Sequence, residues 1–83
     1  MQLAKFVKFR EEKFGGVLFE TRSEKVFTLN PFATAVMLEI KGGGDARAIA
    51  ARLQDRFSAS PGTIEREVGE FLADLRRRGL IED

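Results

Sequence analysis

Glu, Asp, Lys and Ser are the side chains of this chain that could perform acid–base or nucleophilic chemistry, because the sequence contains no histidine and no cysteine. Two groups of carboxylates are close in sequence: Glu11 with Glu12, and Glu65 with Glu67 and Glu70. A catalytic carboxylate needs an apolar enclosure or a charged neighbour that shifts its pKa. These carboxylates occupy exposed helix and link positions, so we interpret them as solvated surface charges. The sequence therefore predicts a protein that is not an enzyme.

Three consecutive glycines, Gly42–Gly44, raise the alternative of a phosphate-binding loop at the start of a helix. No strand pattern precedes them, and neither Lys nor Thr follows in the register that such a loop requires. We therefore interpret this segment as a flexible connection between two helices. Scattered carboxylates are the remaining potential metal ligands. We expect no metal and no cofactor.

The basic cluster Arg76–Arg78 is the feature that could bind nucleic acid, through phosphate contacts of the kind winged helices make. The same predicted helix carries four carboxylates, Glu65, Glu67, Glu70 and Asp74, which phosphates would repel. Arginines in the last turn of a helix also interact favourably with the helix dipole without any partner. Net charge is only +1. A small DNA-binding protein is thus the alternative function, and binding of a peptide or protein is favoured.

Three strand patterns precede the helices. Lys5–Arg10 is rich in strand-forming residues, and Val17–Thr21 alternates apolar side chains with period two. After a charged turn, Lys25–Leu29 runs back, and we expect Phe27 and Leu29 to face the helices. Glu11 to Lys13 is interpreted as a charged link, and Gly15 with Gly16 as a turn or bulge. The pattern predicts a three-stranded antiparallel sheet whose last two strands form a hairpin.

Three helices follow, and each begins at a residue that can cap free backbone N–H groups: Asn30, Asp45 and Ser60. Pro31 and Pro61 suit the first helical position. The helices are predicted to end before Gly42, near Ser58 and at Gly79, and Leu80 and Ile81 to fold back and close the core. The predicted order is β-β-β-α-α-α, an α+β, winged-helix-like fold.

The composition limits the size and the environment of the protein. A chain of 83 residues supports one domain with a small core, so we expect a single domain over residues 1–83. Hydrophobic residues make up 43% and charged residues 33%, as in folded globular proteins. No apolar run reaches the length of a membrane span, no signal-peptide pattern precedes the first strand, and there is no disulfide. We expect a cytoplasmic protein that does not associate with membranes.

Four segments together resemble one protein family. They are LNPFATAVML at Leu29–Leu38, DARAIAARLQDRF at Asp45–Phe57, EVGEFLADLRRRGLI at Glu67–Ile81, and FREEKFGGVLFE at Phe9–Glu20. Their order and spacing resemble the PqqD family over residues 5–81. The last of these segments is similar to the mycofactocin-type relatives of that family, and Glu39 and Lys41 depart from its usual pattern. These departures bear on the pathway more than on the fold.

The resemblance implies a non-catalytic peptide chaperone with a three-strand, three-helix fold. Members of this family bind the leader of a ribosomally made precursor peptide and present it to a radical SAM enzyme, which acts in the biosynthesis of pyrroloquinoline quinone or a related peptide-derived product. The leader would bind against the third strand and the third helix. Partners implied are therefore a precursor peptide and a radical SAM maturase.

Carried onto this chain, the resemblance implies a peptide-binding site on two elements. The strand contributes Lys25, Val26, Phe27, Thr28 and Leu29, and the helix contributes Ile64, Glu67, Val68 and Phe71. Glu67 is a candidate partner for a basic leader residue. For Ile64, Val68 and Phe71 a role in the core is equally compatible with the pattern. The exposed edge strand makes either a monomer or a strand-exchanged homodimer plausible.

Overall fold

The computed structural model describes residues 1–83, which form five strands and three α-helices. The elements are β1 (Gln2–Leu3), β2 (Val7–Glu12), β3 (Gly15–Glu20), β4 (Lys25–Leu29), α1 (Pro31–Ile40), α2 (Ala46–Leu53), α3 (Pro61–Arg77) and β5 (Ile81–Glu82). The sheet order β2-β3-β4 is antiparallel throughout. The prediction of an α+β fold with a three-stranded antiparallel sheet followed by three helices is confirmed.

One face of this sheet packs against the helices. Leu18, at the centre of β3, is fully buried between Phe9 on β2 and Phe27 on β4. Leu29 is also buried and Phe27 is partly buried, which confirms the prediction that these two side chains of the last strand face the helices. Side chains at alternate positions lie on the other face, because successive residues of a strand point to opposite sides. Only one face of the sheet is therefore covered by helices.

The two glycines at the start of β3 are part of the strand rather than of a turn. Gly15 has a φ of 149°, and a Cβ built there would lie 2.1 Å from the carbonyl oxygen of Leu29. A side chain at this position would collide with the backbone of β4. Glu11 and Glu12 pair with Gly16 and Gly15, so β2 continues through the segment that the sequence indicated as a link. Strand β3 is therefore longer at its start than predicted, because the glycines permit this close approach to the backbone of β4.

The two ends of the chain pair in a small second sheet that the sequence did not predict. Leu3 on β1 lies opposite Ile81 on β5. The preceding Gly79 has a φ of 72°, and Leu80 donates its backbone N–H to the carbonyl oxygen of Leu75, at 2.9 Å. This reversal ends α3 and returns Leu80 and Ile81 to the core, where both are buried. The predicted fold-back of these two residues is confirmed.

Each helix begins at the predicted cap: the side chains of Asn30, Asp45 and Ser60 accept hydrogen bonds from the backbone N–H groups of Ala33, Ala48 and Thr63, respectively. Helix α2 is shorter than predicted. It ends at Leu53, and a 3₁₀ turn, Gln54–Arg56, follows. Phe57 then leaves the helical conformation and packs edge-on against Phe32 of α1, with ring centroids 5.1 Å apart. This contact ends the helix before Ser58.

A single arginine holds the loop between α1 and α2. The guanidinium of Arg52 contacts the carboxylate of Glu39 at 2.5 Å and donates to the carbonyl oxygens of Glu39 and Gly43, at 3.0 and 2.9 Å. The predicted interhelical loop at Gly42–Gly44 is thus attached to α2. Glu39, one of the two residues at which the sequence departs from the family it resembles, thus has a structural partner.

The core consists of sixteen buried apolar side chains contributed by the sheet, by all three helices and by the C-terminal strand. Ile49 and Leu53 of α2 belong to it together with Ile64 and Val68 of α3, and all four are at most 1% exposed. None of the helices is both long enough and apolar enough to cross a membrane. The sheet and α3 are therefore fixed to the same core, which sets the position of one relative to the other.

Candidate functional site

Strand β4 is an edge of the sheet, and the hydrogen-bond pattern shows which of its backbone groups are unpaired. Thr21, just after β3, donates its N–H to the carbonyl oxygen of Phe6, at 2.9 Å. In an antiparallel sheet, successive residues of a strand form their ladder bonds on opposite sides. Thr21 bonds toward β2, so Leu18, three residues earlier, bonds toward β4, where its partner is Phe27. Phe27 thus belongs to the ladder.

The neighbours of Phe27 on β4, Val26 and Thr28, consequently direct their N–H and C=O groups away from β3. Both residues are exposed, and the side chain of Val26 is among the most exposed large apolar groups of the chain, at 59%. By the same alternation, Lys25 and Leu29 bond inward. The free edge therefore offers two donors and two acceptors on two residues, in the arrangement that an added strand uses.

Helix α3 lies beside this edge. The guanidinium carbon of Arg78 is 5.6 Å from the ring centroid of Phe27, within the range of a cation–π contact. Two open depressions lie at the two ends of this boundary: the first is between the start of α1 and α3, and the second is between β4 and the residues that follow α3. One, of about 430 Å³, includes Asn30, Glu67 and Phe71, and the other, of about 290 Å³, includes Lys25, Phe27 and Arg78. We call this surface the β4–α3 groove and define it by Lys25, Phe27, Asn30, Glu67, Phe71, Asp74 and Arg78.

The structure separates the predicted helix residues into two pairs. Glu67 is exposed and Phe71 is half-buried, and both line the groove. Ile64 and Val68 are core residues, 1% and 0% exposed. A peptide on the surface cannot reach their side chains, so we leave them out of the proposed contact surface. Leu29 is also left out, because its side chain is buried and its backbone groups bond toward β3.

Ion pairs occupy the arginines that the sequence singled out as a basic cluster. Arg77 and Arg78 both donate to the carboxylate of Asp74, Arg78 at 2.9 Å, and Arg76 contacts Asp83 at 2.9 Å. The hydrogen bond from Arg78, followed by that from Arg77, holds the pKa of Asp74 below its ordinary value, against the opposing effect of desolvation. These arginines are therefore engaged within the chain, which argues against a phosphate-binding patch.

Glu20, near the other end of the groove, is held by the turn after β3. Its carboxylate accepts hydrogen bonds from the hydroxyl of Ser23, at 2.7 Å, and from the backbone N–H of Arg22, at 2.8 Å. The Ser23 hydroxyl and then the Arg22 N–H lower the pKa of Glu20. The carboxylate thus stays ionised at neutral pH and stabilises the turn that leads into β4.

Asn30, Asp74 and Arg78 were not among the predicted site residues, although the sequence contained a signal for two of them. Glu67, Phe71, Asp74 and Arg78 follow one another at spacings of four, three and four, which places them on one face of a helix. The predicted set stopped at Phe71. Asn30 was interpreted only as a helix cap, which it is, and its place in the groove follows from the direct passage from β4 into α1.

A second exposed apolar area lies on the face of the sheet away from the helices. Val17, Phe19 and Val26 form it, with Lys8 and Arg10 beside them. It is separate from α3, and nothing in the structure covers it. No group of three or more acidic side chains in residues 1–83 is arranged to hold a metal ion. The β4–α3 groove is therefore the surface that combines unpaired backbone groups with a side-chain wall.

Two sequence comparisons show what this chain is similar to. A family model described as coenzyme PQQ synthesis protein D (PqqD) matches residues 15–81. The chain is also 41% identical over 59 residues to the PqqA binding protein of Azotobacter vinelandii (strain DJ / ATCC BAA-1303). That alignment covers 71% of this chain and 63% of the relative, so the chain spans less than two thirds of the length of this relative.

Similar folds occur in two solved structures. A lasso peptide synthetase B1 complexed with the leader peptide has a TM-score of 0.87 at 20% identity, covering 99% of this chain and 96% of that one. The PqqD truncation of Methylobacterium extorquens PqqCD, described as a stand-alone RiPP recognition element, has a TM-score of 0.79 at 26% identity, covering 99% and 87%. The first likeness concerns the fold alone. Both extend over nearly the whole chain.

Proposed function

Because the chain belongs to the PqqD family, as the match over residues 15–81 shows, we propose that it is a non-catalytic peptide chaperone. It binds the leader of a ribosomally synthesised precursor peptide as an additional strand on β4 and presents it to a radical SAM maturation enzyme. The observation that carries the proposal is the free edge of β4 at Val26 and Thr28, next to the side chains of α3. The supporting relatives are a protein named for binding PqqA and a structure that contains a leader peptide.

The strand-addition mechanism uses main-chain groups for affinity and side chains for selection. An extended peptide beside β4 forms hydrogen bonds with the outward N–H and C=O groups of Val26 and Thr28. Every second peptide side chain then points toward α3, where Phe71 and the edge of Phe27 supply apolar contact area. This arrangement requires no reactive side chain, which fits the lack of histidine and cysteine.

The opposite edge of the sheet, on β2, suits a peptide less well. Its free side carries the ion pair between Arg10 and Glu12, which contact at 2.5 Å, and the exposed Glu11. Charged side chains on an edge strand discourage the addition of another strand. Helix α1 borders the end of β2, but the strand side of the depression between them consists of the charged residues Glu11 and Glu12. The two edges of one sheet thus provide an internal comparison for experiments.

Presentation to an enzyme requires only that the two partners bind together. A chaperone that holds the leader and contacts the maturase converts a bimolecular encounter into a tethered one, with an effective concentration on the order of millimolar. A modest affinity for the leader is then sufficient. The same edge can pair with a second copy of the chain. We therefore propose that the protein is a monomer or a strand-exchanged homodimer, and that dimer formation and leader binding compete for β4.

Titration of isotopically labelled protein with its precursor peptide tests the proposal. The peptides are PqqA of Azotobacter vinelandii and any short peptide that sequencing finds encoded beside the gene of this chain. We expect the largest amide shifts at Val26, Thr28, Glu67 and Phe71. Shifts confined to Val17 and Phe19 on the far face, or none with either peptide, would overturn strand addition at β4. Steeply salt-dependent binding of duplex DNA without peptide binding would favour the DNA-binding alternative.

A further inference from the structure

The two ends of the β4–α3 groove carry opposite charge. At the Asn30 end, Glu67 forms no ion pair, and Glu70 has a single contact of 3.9 Å with Arg66, one turn earlier on the same helix. Both carboxylates are exposed and border the same depression. Asp74, farther along α3, is already neutralised by Arg77 and Arg78. This end of the groove is therefore acidic.

At the other end, the one lining charge without an ion-pair partner is Lys25, since Arg78 pairs with Asp74 and Glu20 with Arg22. Lys25 is exposed and forms no ion pair, and Arg78 lies across from it over Phe27. Glu20 lies opposite Lys25 in the sheet, but its carboxylate is held by Ser23 and by the backbone N–H of Arg22. A ligand at this end meets Lys25 first. The groove thus passes from basic to acidic in the direction of β4.

The separation of the two ends sets the spacing of the residues they recognise. From Lys25 to Leu29 there are four residue steps, and at about 3.3 Å per residue they span about 13 Å. This distance exceeds the screening length of about 8 Å at physiological salt, so each end acts on its own ligand charge. Residues four apart in an extended peptide lie on the same face of it, and so does the residue midway between them. All three therefore point to α3.

Resting on the proposed function, we infer that the β4–α3 groove selects a leader segment of the form basic–x–apolar–x–acidic, read from the N-terminus of the peptide. Antiparallel strand pairs are more stable per residue than parallel ones. In an antiparallel pair, the first residue of the segment lies beside Leu29 and faces Glu67. The middle residue contacts Phe27 and Phe71, and the last faces Lys25.

Three synthetic peptides of equal length test this order: TTKTLTDTT, TTDTLTKTT and TTQTLTNTT. Binding is measured from the amide shifts of Val26 and Thr28 during titration. We expect the first peptide to bind about three- to tenfold more tightly than the second, with the neutral peptide between them, since exposed ion pairs contribute about 0.2–1 kcal/mol each. Equal affinity of all three, or tighter binding of the second, would overturn the inferred order.

A charge-exchanged protein provides the matched control. The double variant Lys25→Glu with Glu67→Lys keeps the net charge and changes only exposed side chains, so we expect the fold to be retained and the preference between the two charged peptides to invert. An unchanged preference would overturn the inference. If the precursor peptide binds at Val26 and Thr28 while none of the three synthetic peptides does, the inferred pattern fails and the proposed function stands. If the precursor also fails to bind, the proposed function fails.

Discussion

Arg78, at the end of α3, lies over the ring of Phe27 on β4, with its guanidinium carbon 5.6 Å from the ring centroid. Asp74, one helical turn earlier, holds Arg78 by a hydrogen bond of 2.9 Å. The helix wall and the strand wall of the groove are thereby joined through three side chains.

Proline substitution at Thr28 tests whether the backbone N–H of this residue points outward from the sheet and binds the peptide. Thr28→Pro removes an N–H that points away from β3, which edge strands tolerate, so we expect a folded protein whose peptide affinity falls at least about tenfold through the loss of one or two hydrogen bonds. Isothermal titration gives the affinity, and circular dichroism verifies the fold. The matched control is Glu11→Pro, which removes an outward N–H from the opposite edge and should leave binding unchanged. Full affinity in Thr28→Pro and in Val26→Pro would contradict strand addition.

Removal of the Arg78 side chain, which joins the two walls, should lower the affinity for the peptide and raise the pKa of Asp74 together. Arg78→Ala eliminates the contact with Phe27 and the main interaction that lowers the pKa of Asp74. We expect peptide affinity to fall about two- to fivefold, which corresponds to one cation–π contact of about 0.5–1 kcal/mol. An NMR titration should show the pKa of Asp74 rising. Arg76→Ala, which releases Asp83 instead, is the control, and an effect of equal size there would refute a specific role of Arg78.

Glu67 and Ile64, neighbours on α3 with opposite burial, should give opposite phenotypes. Glu67→Gln should change the free energy of unfolding by less than about 0.5 kcal/mol and weaken the binding of a peptide with a basic residue. Ile64→Ala leaves a cavity in the core and should reduce stability by about 2–4 kcal/mol. Urea denaturation and peptide titration of both variants provide the comparison. Weakened binding by Ile64→Ala at a temperature where it is fully folded would return Ile64 to the contact surface.

Acid should destabilise the protein partly through Glu20 and Asp74. Both have folded-state pKa values below the ordinary values of 4.5 and 3.8. A lowered folded-state pKa contributes stability above the ordinary value, and this contribution is lost as the pH falls through the lowered one. Urea denaturation between about pH 5 and about pH 2 measures the loss. Ser23→Ala should raise the pKa of Glu20 and flatten this part of the profile, whereas Ser58→Ala, at an exposed loop position, should not.

Substitution of Arg52 tests whether its contacts with the α1–α2 loop contribute to stability without affecting peptide binding. Arg52→Gln removes the contact with Glu39 and the bond to the carbonyl oxygen of Gly43. We expect stability to fall by about 1–2 kcal/mol, since these are partly exposed hydrogen bonds to charged groups, and peptide affinity to stay unchanged. Arg47→Gln, which removes a more exposed pair of 3.7 Å with Glu65, should have almost no effect in urea denaturation. A loss of peptide affinity in folded Arg52→Gln would show that α2 also acts on the groove.

The order of the three sheet strands and the three helices could be predicted because the start of each helix has a local chemical cause. Asn30, Asp45 and Ser60 cap the helices through their own side chains, and the apolar periodicity of each helix reports its buried face. Such signals lie within a few residues in the sequence. The edge strand Lys25–Leu29 could also be predicted, because its side chains alternate and it is the last strand before a helix.

Features that depend on contacts between distant residues could not be predicted in the same way. The pairing of Leu3 with Ile81 joins two segments of two residues, too short to show any periodicity. The extension of β3 to Gly15 depends on the space left by the backbone of Leu29. For the site, the period of α3 identified Val68 as apolar without stating whether it faces α2 or the groove, and burial decided that question.

The open edge of β4 also makes the peptide-free protein prone to self-association in concentrated samples. The unpaired groups of Val26 and Thr28, with the exposed side chain of Val26, accept any extended chain, including one from a partly unfolded neighbour, and such edges promote aggregation. A leader peptide that occupies the edge removes that template. Concentrated samples saturated with leader should accordingly stay clear on warming, at temperatures where the peptide-free protein scatters light.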